Sequence, residues 1–412
     1  MHIPDGYLSP ATCTVLYASS APFWYVALQR VKKTLHTRLV PLLSLFAAFS
    51  FVIMMFNLPL PGGTTGHAVG IGLATVVLGP WAAMLAVSVA IVIQALFFGD
   101  GGITAIGANC FNMAIVGALV AYAVYRLLAG RSEIQSFRRV VAAGLAGYAA
   151  INVSALFAAV EFGIQPLLYR DAGGAPLYCP YPLSVAIPAM MLGHLSIAGL
   201  AELIVSAGVV AFLQKSDPSL LKSTGITGGP SFCGAGWQNL RRIVNPPAAH
   251  ASNHPNDLVS SGAANPGCSR LSAGSTVSER PASIACPTPR SLRPLWLGLA
   301  ALMILTPLGI LAAGSAWGEW VASDFSNPAV RQQIAASSFQ QAAPLQAPQG
   351  LARLSGIWTA PFIRYAPPFV NSPAFGYLLS AMFGAGLVVL ASLAVGRFLR
   401  AQSFHNSQER TA

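Results

Sequence analysis

Apolar residues along this chain gather into long runs separated by polar segments. Runs of membrane-spanning length cover roughly 11–29, 39–58, 64–79, 81–98, 103–128, 139–162 and 183–213, and two more follow at about 295–314 and 374–399. A helix of about 20 apolar residues crosses the hydrocarbon core of a bilayer. The pattern predicts an all-α integral membrane protein, with a domain of about seven spans followed by one of two spans. The 64–79 run is short and glycine-rich, so it is expected as a short span or as a re-entrant segment lining a cavity. Residues 214–294 are rich in Ser, Gly, Pro, Asn and Ala with few aliphatics. Such a segment cannot bury enough apolar area to fold alone and reads as a flexible linker. The expected organisation is a membrane domain over 1–213, a linker over 214–294, a two-span domain over 295–400 and a tail over 401–412. Within the two-span domain, 317–372 forms an outer loop. Its Trp317, Trp320, Trp358, Phe362 and Tyr365 suggest partial order against the membrane or the first domain.

Composition agrees with this reading. The chain is 54% hydrophobic and 8% charged, whereas a soluble domain carries about 25% charged residues. The net charge of +11 is assigned to topology rather than to nucleic acid, because basic residues sit between the apolar runs. With the N-terminus outside and nine crossings, 19 Lys and Arg fall inside. Four stay outside: Arg170, Arg331, Arg353 and Arg364. Without the long linker the bias is still eleven to four, the sense expected when cytoplasmic loops hold the positive charge. The expected location is the inner (cytoplasmic) membrane, with the N-terminus outside and the linker and tail cytoplasmic.

Several chemistries lack their residues. The six cysteines form no C-x-x-C pair, which argues against a zinc knuckle or redox motif. None of the four lysines follows glycine, so there is no phosphate-binding loop of an ATPase. H-E-x-x-H and G-x-S-x-G are missing as well.

Candidate chemistry begins at Met1 and His2. A histidine directly after the terminal residue can chelate through three nitrogens. These are the free α-amine, the deprotonated His2 amide, closing a five-membered ring, and His2 Nδ1, closing a six-membered ring. Three nitrogens in a plane favour a square-planar ion, Ni(II) or Cu(II), and binding releases protons, so affinity rises with pH. The opening MHIPDGYLSP has no basic region before an apolar stretch, unlike a secretory signal, so these residues are expected to be kept. Pro4 and the Asp5-Gly6 turn signal can bend the terminus back into the protein; alternatively Asp5 hydrogen-bonds His2. The bland alternative is a frayed, exposed terminus.

His67, in PLPGGTTGHAVGIG, opens the glycine-rich run on the same outer side. A histidine at a membrane span is costly and marks a candidate site, and its imidazole would complete four nitrogens. The alternative is a histidine satisfied by neighbouring helices. His194 and Glu202 are eight residues apart and would share a helix face, either as a polar lining or coupling face, or as a hydrogen-bonded pair that fixes packing. The packing role is favoured. Asn109 and Asn112 would support His67 or hold helices together. His36 lies in a basic inner loop, away from an outer site. Gly70, Gly72, Gly144 and Gly147 suggest a face for close packing with a partner span.

The opening MHIPDGYLSP, with His67 in GHAVGIG, resembles the CbiM/NikM family, the substrate-capture components of energy-coupling-factor transporters for cobalt and nickel. FGDGGITAIGANCFNM (98–113) and GHLSIAGLAE (193–202) are similar to the family too, and the likeness covers about residues 1–213. It implies a metal held by the terminal amine, the second residue's amide and imidazole, and a further histidine: here Met1, His2 and His67. Residues 301–320, ALMILTPLGILAAGSAWGEW, resemble the first span and exit of the small companion subunit, fused in place. The PDGLE-like motif of many fused members is not found, and the role of Glu319 is left open. The likeness implies a separate transmembrane coupling (T) protein and cytoplasmic ATPase subunits, in keeping with the missing phosphate loop. The expected cargo is Ni(II) or Co(II), with no resident cofactor; four coplanar nitrogens lean towards nickel.

Three rivals remain. A stand-alone secondary transporter or channel needs a charged relay through the spans, for which only Glu161, His194 and Glu202 offer themselves. A membrane enzyme lacks a catalytic pair, and a metal sensor lacks a folded output domain.

Overall fold

The structure is a computed structural model that describes residues 1–34, 39–60, 63–223, 292–312 and 314–408, with the backbone alone at 34, 222–223 and 399–408. His36, Gly62, residues 224–291 of the expected linker and residues 409–412 of the tail lie outside the described residues. The described chain is helical apart from one hairpin. In order come α1 (Pro10–Thr34), α2 (Leu39–Met54), β1 (Leu58–Leu60), β2 (Thr64–Gly66), α3 (Ile71–Leu78), α4 (Pro80–Ile93), α5 (Ile106–Asn109) and α6 (Gly117–Ala129). Then follow α7 (Phe137–Leu168), α8 (Leu183–Gly193), α9 (Gly199–Ser216), α10 (Pro218–Ser223), α11 (Arg293–Leu305), α12 (Pro328–Ser337), α13 (Gln349–Leu354) and α14 (Pro373–Gln408).

Among the described residues, six helical stretches are long and apolar enough to cross a bilayer: Pro80–Phe98, Ile106–Ala129, Phe137–Leu168, Leu183–Ser216, Arg293–Leu311 and Pro373–Phe398. Helix α2 is apolar but has 16 residues, and α1 carries Arg30, Lys32 and Lys33 near its end. The 64–79 run is a two-turn helix led in by extended chain, not a full helical span. Eight residues of helix rise only about 12 Å. Gly79, with φ of 80°, ends α3, and Pro80 opens α4 directly behind it. Proline suits a first helical turn because its missing N–H has no partner there.

Three spans contain π-helical turns, at Gln94–Phe98, Cys110–Val116 and His194–Ala198. A π turn inserts an extra residue and shifts the side chains beyond it. At the third turn His194 and Glu202 part company. His194 Nδ1 lies 2.8 Å from Met190 O, while Glu202 bonds to main-chain N–H groups ahead of α3. They are not a hydrogen-bonded pair.

The small-residue face also turns inward, which corrects the expectation of a partner surface. A Cβ on Gly72 would come within 2.4 Å of Gly147 Cα, and one on Gly144 would meet Leu203 O at 3.1 Å. These glycines, with Gly70, are buried and let α3, α7 and α9 cross closely. The outer loop is ordered against the first domain. Phe362 N donates to Phe97 O at 2.9 Å and Gly350 N to Leu177 O at 2.6 Å, and just ahead of the loop Ser315 O accepts from Thr65 N of the hairpin at 3.3 Å.

Candidate metal centre

The first three residues are interior. Met1 is 3% exposed, and His2 and Ile3 are 0%. Burying a terminus requires partners for its backbone, and these come from the loop between α4 and α5 and from α5 itself. Asn109 clamps Ile3 from both sides: Ile3 N donates to Asn109 Oδ1 at 2.8 Å, and Asn109 Nδ2 donates to Ile3 O at 3.1 Å. Gly102 N adds a bond to Ile3 O at 2.9 Å. The Asp5-Gly6 turn forms, with Gly6 at φ of 87°. The Asp5 carboxylate accepts from Ile103 N at 3.1 Å and Thr104 N at 2.8 Å. It therefore anchors the turn to the loop, and its bonds go there rather than to His2. Tyr7 is buried and donates through Oη to Trp320 O at 2.8 Å, joining the terminal segment to the outer loop.

This anchoring brings His2 and His67 together. Their ring centroids lie 5.2 Å apart. His67 Nδ1 lies 3.1 Å from Ala68 O; with the proton on Nδ1 the ring donates there and keeps the Nε2 lone pair free. The His67 segment is held by Glu202, whose Oε2 accepts from Val69 N and Gly70 N at 2.8 Å each and whose Oε1 accepts from Gly72 N at 3.1 Å. The other proposed supports point elsewhere. Asn112 Nδ2 donates to Glu161 Oε2 at 2.8 Å. His194 Nδ1 lies 2.8 Å from Met190 O of its own helix, and the ring is near enough to the terminal amine to feel its charge.

Both ring nitrogens of His2 are buried with no hydrogen-bond partner. Orphaned polar atoms in an interior are costly and call for an explanation. Burial, then the charge of the terminal amine, lowers the His2 pKa to about 4, against a smaller opposing pull from Glu319. Burial, then His2, lowers that of His67 to about 3. Both imidazoles are thus neutral at neutral pH, the form that coordinates a metal. Among the described residues no group of three His, Cys, Asp or Glu side chains forms a ready metal cage.

Two carboxylates face this cluster. Glu319 Oε1 lies 3.3 Å from the Met1 amine and 3.1 Å from His2 N. Asp100 Oδ1 lies 3.7 Å from His2 Nδ1, too far for a hydrogen bond. Asp100 Oδ2 accepts from Tyr365 Oη at 2.5 Å, so the outer loop touches the cluster twice. Sequence reasoning left Glu319 without a role and missed Asp100. The available signal was scarcity: Glu319 is one of two acidic residues in 317–372.

The chain matches two known families. The cobalt uptake substrate-specific transmembrane region family, CbiM, covers residues 2–220. The PDGLE domain covers residues 293–401, although the five-letter motif itself is not in the chain. The fused nickel transport protein NikMN of Rhodobacter capsulatus is 50% identical over 97% of this chain and 98% of its own length. The probable fused nickel transport protein LarMN of Lactiplantibacillus plantarum is 38% identical over 93% of both. A crystal structure described as a truncated transition metal transporter is 50% identical, covers 52% of this chain and 98% of its own, and superposes with a TM-score of 0.49.

Proposed function

The chain belongs to the CbiM family of nickel and cobalt transport membrane proteins, here joined to a PDGLE domain, and on that premise we propose that its own N-terminus captures the ion. The ligands are the Met1 amine, the His2 amide and Nδ1, and one nitrogen of His67. The observation that carries this reading is His2: fully buried, with both ring nitrogens unpartnered, beside a terminal amine and a second neutral imidazole. An ion binding there displaces the amide proton and one proton of the terminal ammonium, both released to solvent, and takes the two freed nitrogens together with Nδ1, so an unpartnered buried ring nitrogen gains a coordination bond. Four coplanar nitrogens suit Ni(II) better than Co(II).

Residues 1–213 form the capture domain in this reading, and residues 295–400 act as its companion. The terminus faces outward across the inner membrane, where incoming ions meet it. A separate T protein and cytoplasmic ATPase subunits supply the energy for inward release. The test is metal binding by the purified full chain with a native terminus and with several residues added before Met1, since a single added residue would place the histidine third from the amine and build a new square-planar set from the amine, two amides and the imidazole. The extension moves the free amine away from the His2 chelate. Loss of the square-planar Ni(II) absorption is expected, and an unchanged spectrum and stoichiometry would refute the terminal site.

A further inference from the structure

We propose that Glu319 is the residue through which the ion reaches the terminal chelate: its carboxylate draws the dication in and then yields its place to it. The inference rests on the terminal-chelate reading and adds a positioning residue from the companion domain. Three observations carry it. First, a single oxygen, Oε1, accepts from both the Met1 amine and the His2 amide, at 3.3 and 3.1 Å. A metal–nitrogen bond is about 2 Å long, and the ion takes the position of the amide hydrogen. It therefore arrives on the line that now ends at Glu319 Oε1, and the carboxylate must move for the chelate to close.

Second, the chelating atoms themselves have almost no contact with solvent, since the side chains of Met1 and His2 are 1% and 0% exposed, whereas that of Glu319 is 22% exposed. Glu319 thus reaches from the buried nitrogens to the surface. Third, the residue whose amide Glu319 holds is the fully buried His2 with both ring nitrogens unpartnered, so the carboxylate touches a potential ligand set rather than an isolated ion pair. Tyr7 Oη on Trp320 O, at 2.8 Å, fixes the backbone next to Glu319 against the terminal segment, and the buried Trp317 and Trp320 flank it. The side chain can swing while its backbone stays.

A negative charge at the mouth of a buried site raises the association rate of a cation by tenfold or more, and salt weakens the effect. The test uses the purified full chain and Ni(II) chloride in stopped-flow absorption, with Glu319→Gln, Glu319→Asp and the wild type at low and high salt. Glu319→Gln keeps the shape and removes the charge. Its association rate is expected to fall about tenfold, with a flatter salt dependence, while the final Ni(II) spectrum matches the wild type. Glu319→Asp keeps the charge and recovers part of the rate. Association within threefold of wild type in Glu319→Gln overturns the proposal. So does an altered final spectrum, which would make Glu319 a ligand of the bound ion. Should Glu319→Gln not fold, a wild-type association rate that does not respond to salt overturns it equally. Failure of the terminal site itself is read separately, because it leaves the spectrum of the chain with several added residues unchanged.

Discussion

Removing the Glu202 carboxylate should unlock the segment that carries His67. The carboxylate accepts three main-chain N–H groups, from Val69, Gly70 and Gly72, and is itself fully buried. They precede or open α3, where a helix start leaves its first N–H groups without helical partners. No water reaches them to compensate, since residues 69–72 are buried. In Glu202→Ala all three donors are orphaned, at about 1–3 kcal/mol each. The sum, about 6 kcal/mol, rivals the whole stability of many proteins. Glu202→Gln is the finer probe. Its carbonyl oxygen can keep Val69 and Gly70, but its NH2 then faces the Gly72 N–H. One bond is lost and two donors oppose each other, a cost of about 2 kcal/mol, or roughly thirtyfold in a local opening equilibrium.

Amide hydrogen exchange on peptides spanning 66–75, read alongside Ni(II) binding, measures this directly. Exchange is expected to quicken by about thirtyfold in Glu202→Gln and by roughly ten-thousandfold in Glu202→Ala, with Ni(II) affinity falling in the same order. Wild-type exchange at 69–72 in Glu202→Ala would refute the capping role. Loss of transport in Glu202→Gln with exchange and binding intact would favour the rival in which Glu202 is part of a charged relay.

Asn109→Ala leaves the buried Ile3 N–H unpaired, while Ile3 O keeps Gly102 N; exchange at Ile3 should accelerate by about thirtyfold for a loss of about 2 kcal/mol, whereas Asn112→Ala, which loses only its Glu161 bond, should leave Ile3 unchanged. Gly101→Ala should weaken Ni(II) binding in equilibrium dialysis. Its φ is 85°, and a new Cβ would lie 2.8 Å from Asn109 Nδ2 and 3.4 Å from His2 Nδ1, so strain of about 1–2 kcal/mol falls on the clamp and the ligand together. With His2 lowered to about 4 and His67 to about 3, the metal-free fold binds fewer protons than the unfolded chain below pH 6.5. The contribution of these two histidines to stability should therefore be full above about pH 6.5 and decline by up to about 1.4 kcal/mol per pH unit per histidine as pH falls towards 4. Thermal unfolding in detergent across that range checks the sign. Measured against His67→Gln, the wild type should lose ground on acidification, and a wild type that instead gains on that variant would refute it.

What could be read from the sequence divides along contact distance. Met1 and His2 could be singled out as candidates because the proposed chelate would close within two residues, and its ring sizes follow from covalent geometry alone. The Asp5-Gly6 turn was legible for the same reason, as a local signal that the structure realises at φ of 87°. The long apolar runs identified the helices, since their length answers to bilayer thickness rather than to any partner. Misreadings came where an inserted residue or a distant element decides. The π turn at His194–Ala198 separates two residues that a regular helix would align. Gly144 and Gly147 look like a free small-residue face until α9 is packed on them. Glu202 could be placed on a helix face from the sequence, but its main-chain targets lie 130 to 133 residues earlier and no local pattern points to them.

The companion domain shows the limit most clearly. Glu319 meets the terminus across 317 residues of sequence, and no local pattern encodes such a contact. Yet the arrangement has a physical logic once seen. A terminal chelate gains rigidity from burial, through Asn109 and the Asp5 turn, but burial also removes its route to solvent. Something that is not part of the rigid clamp must then connect ligands to water. A carboxylate on a loop from the second domain meets that need, because it touches both nitrogens, remains partly exposed, and can move without disturbing the bonds that hold Ile3 and Asp5. The same separation explains why the clamp and the entrance sit on different domains. Stiffening the clamp and easing entry make opposite demands on mobility, and elements on one loop could not meet both.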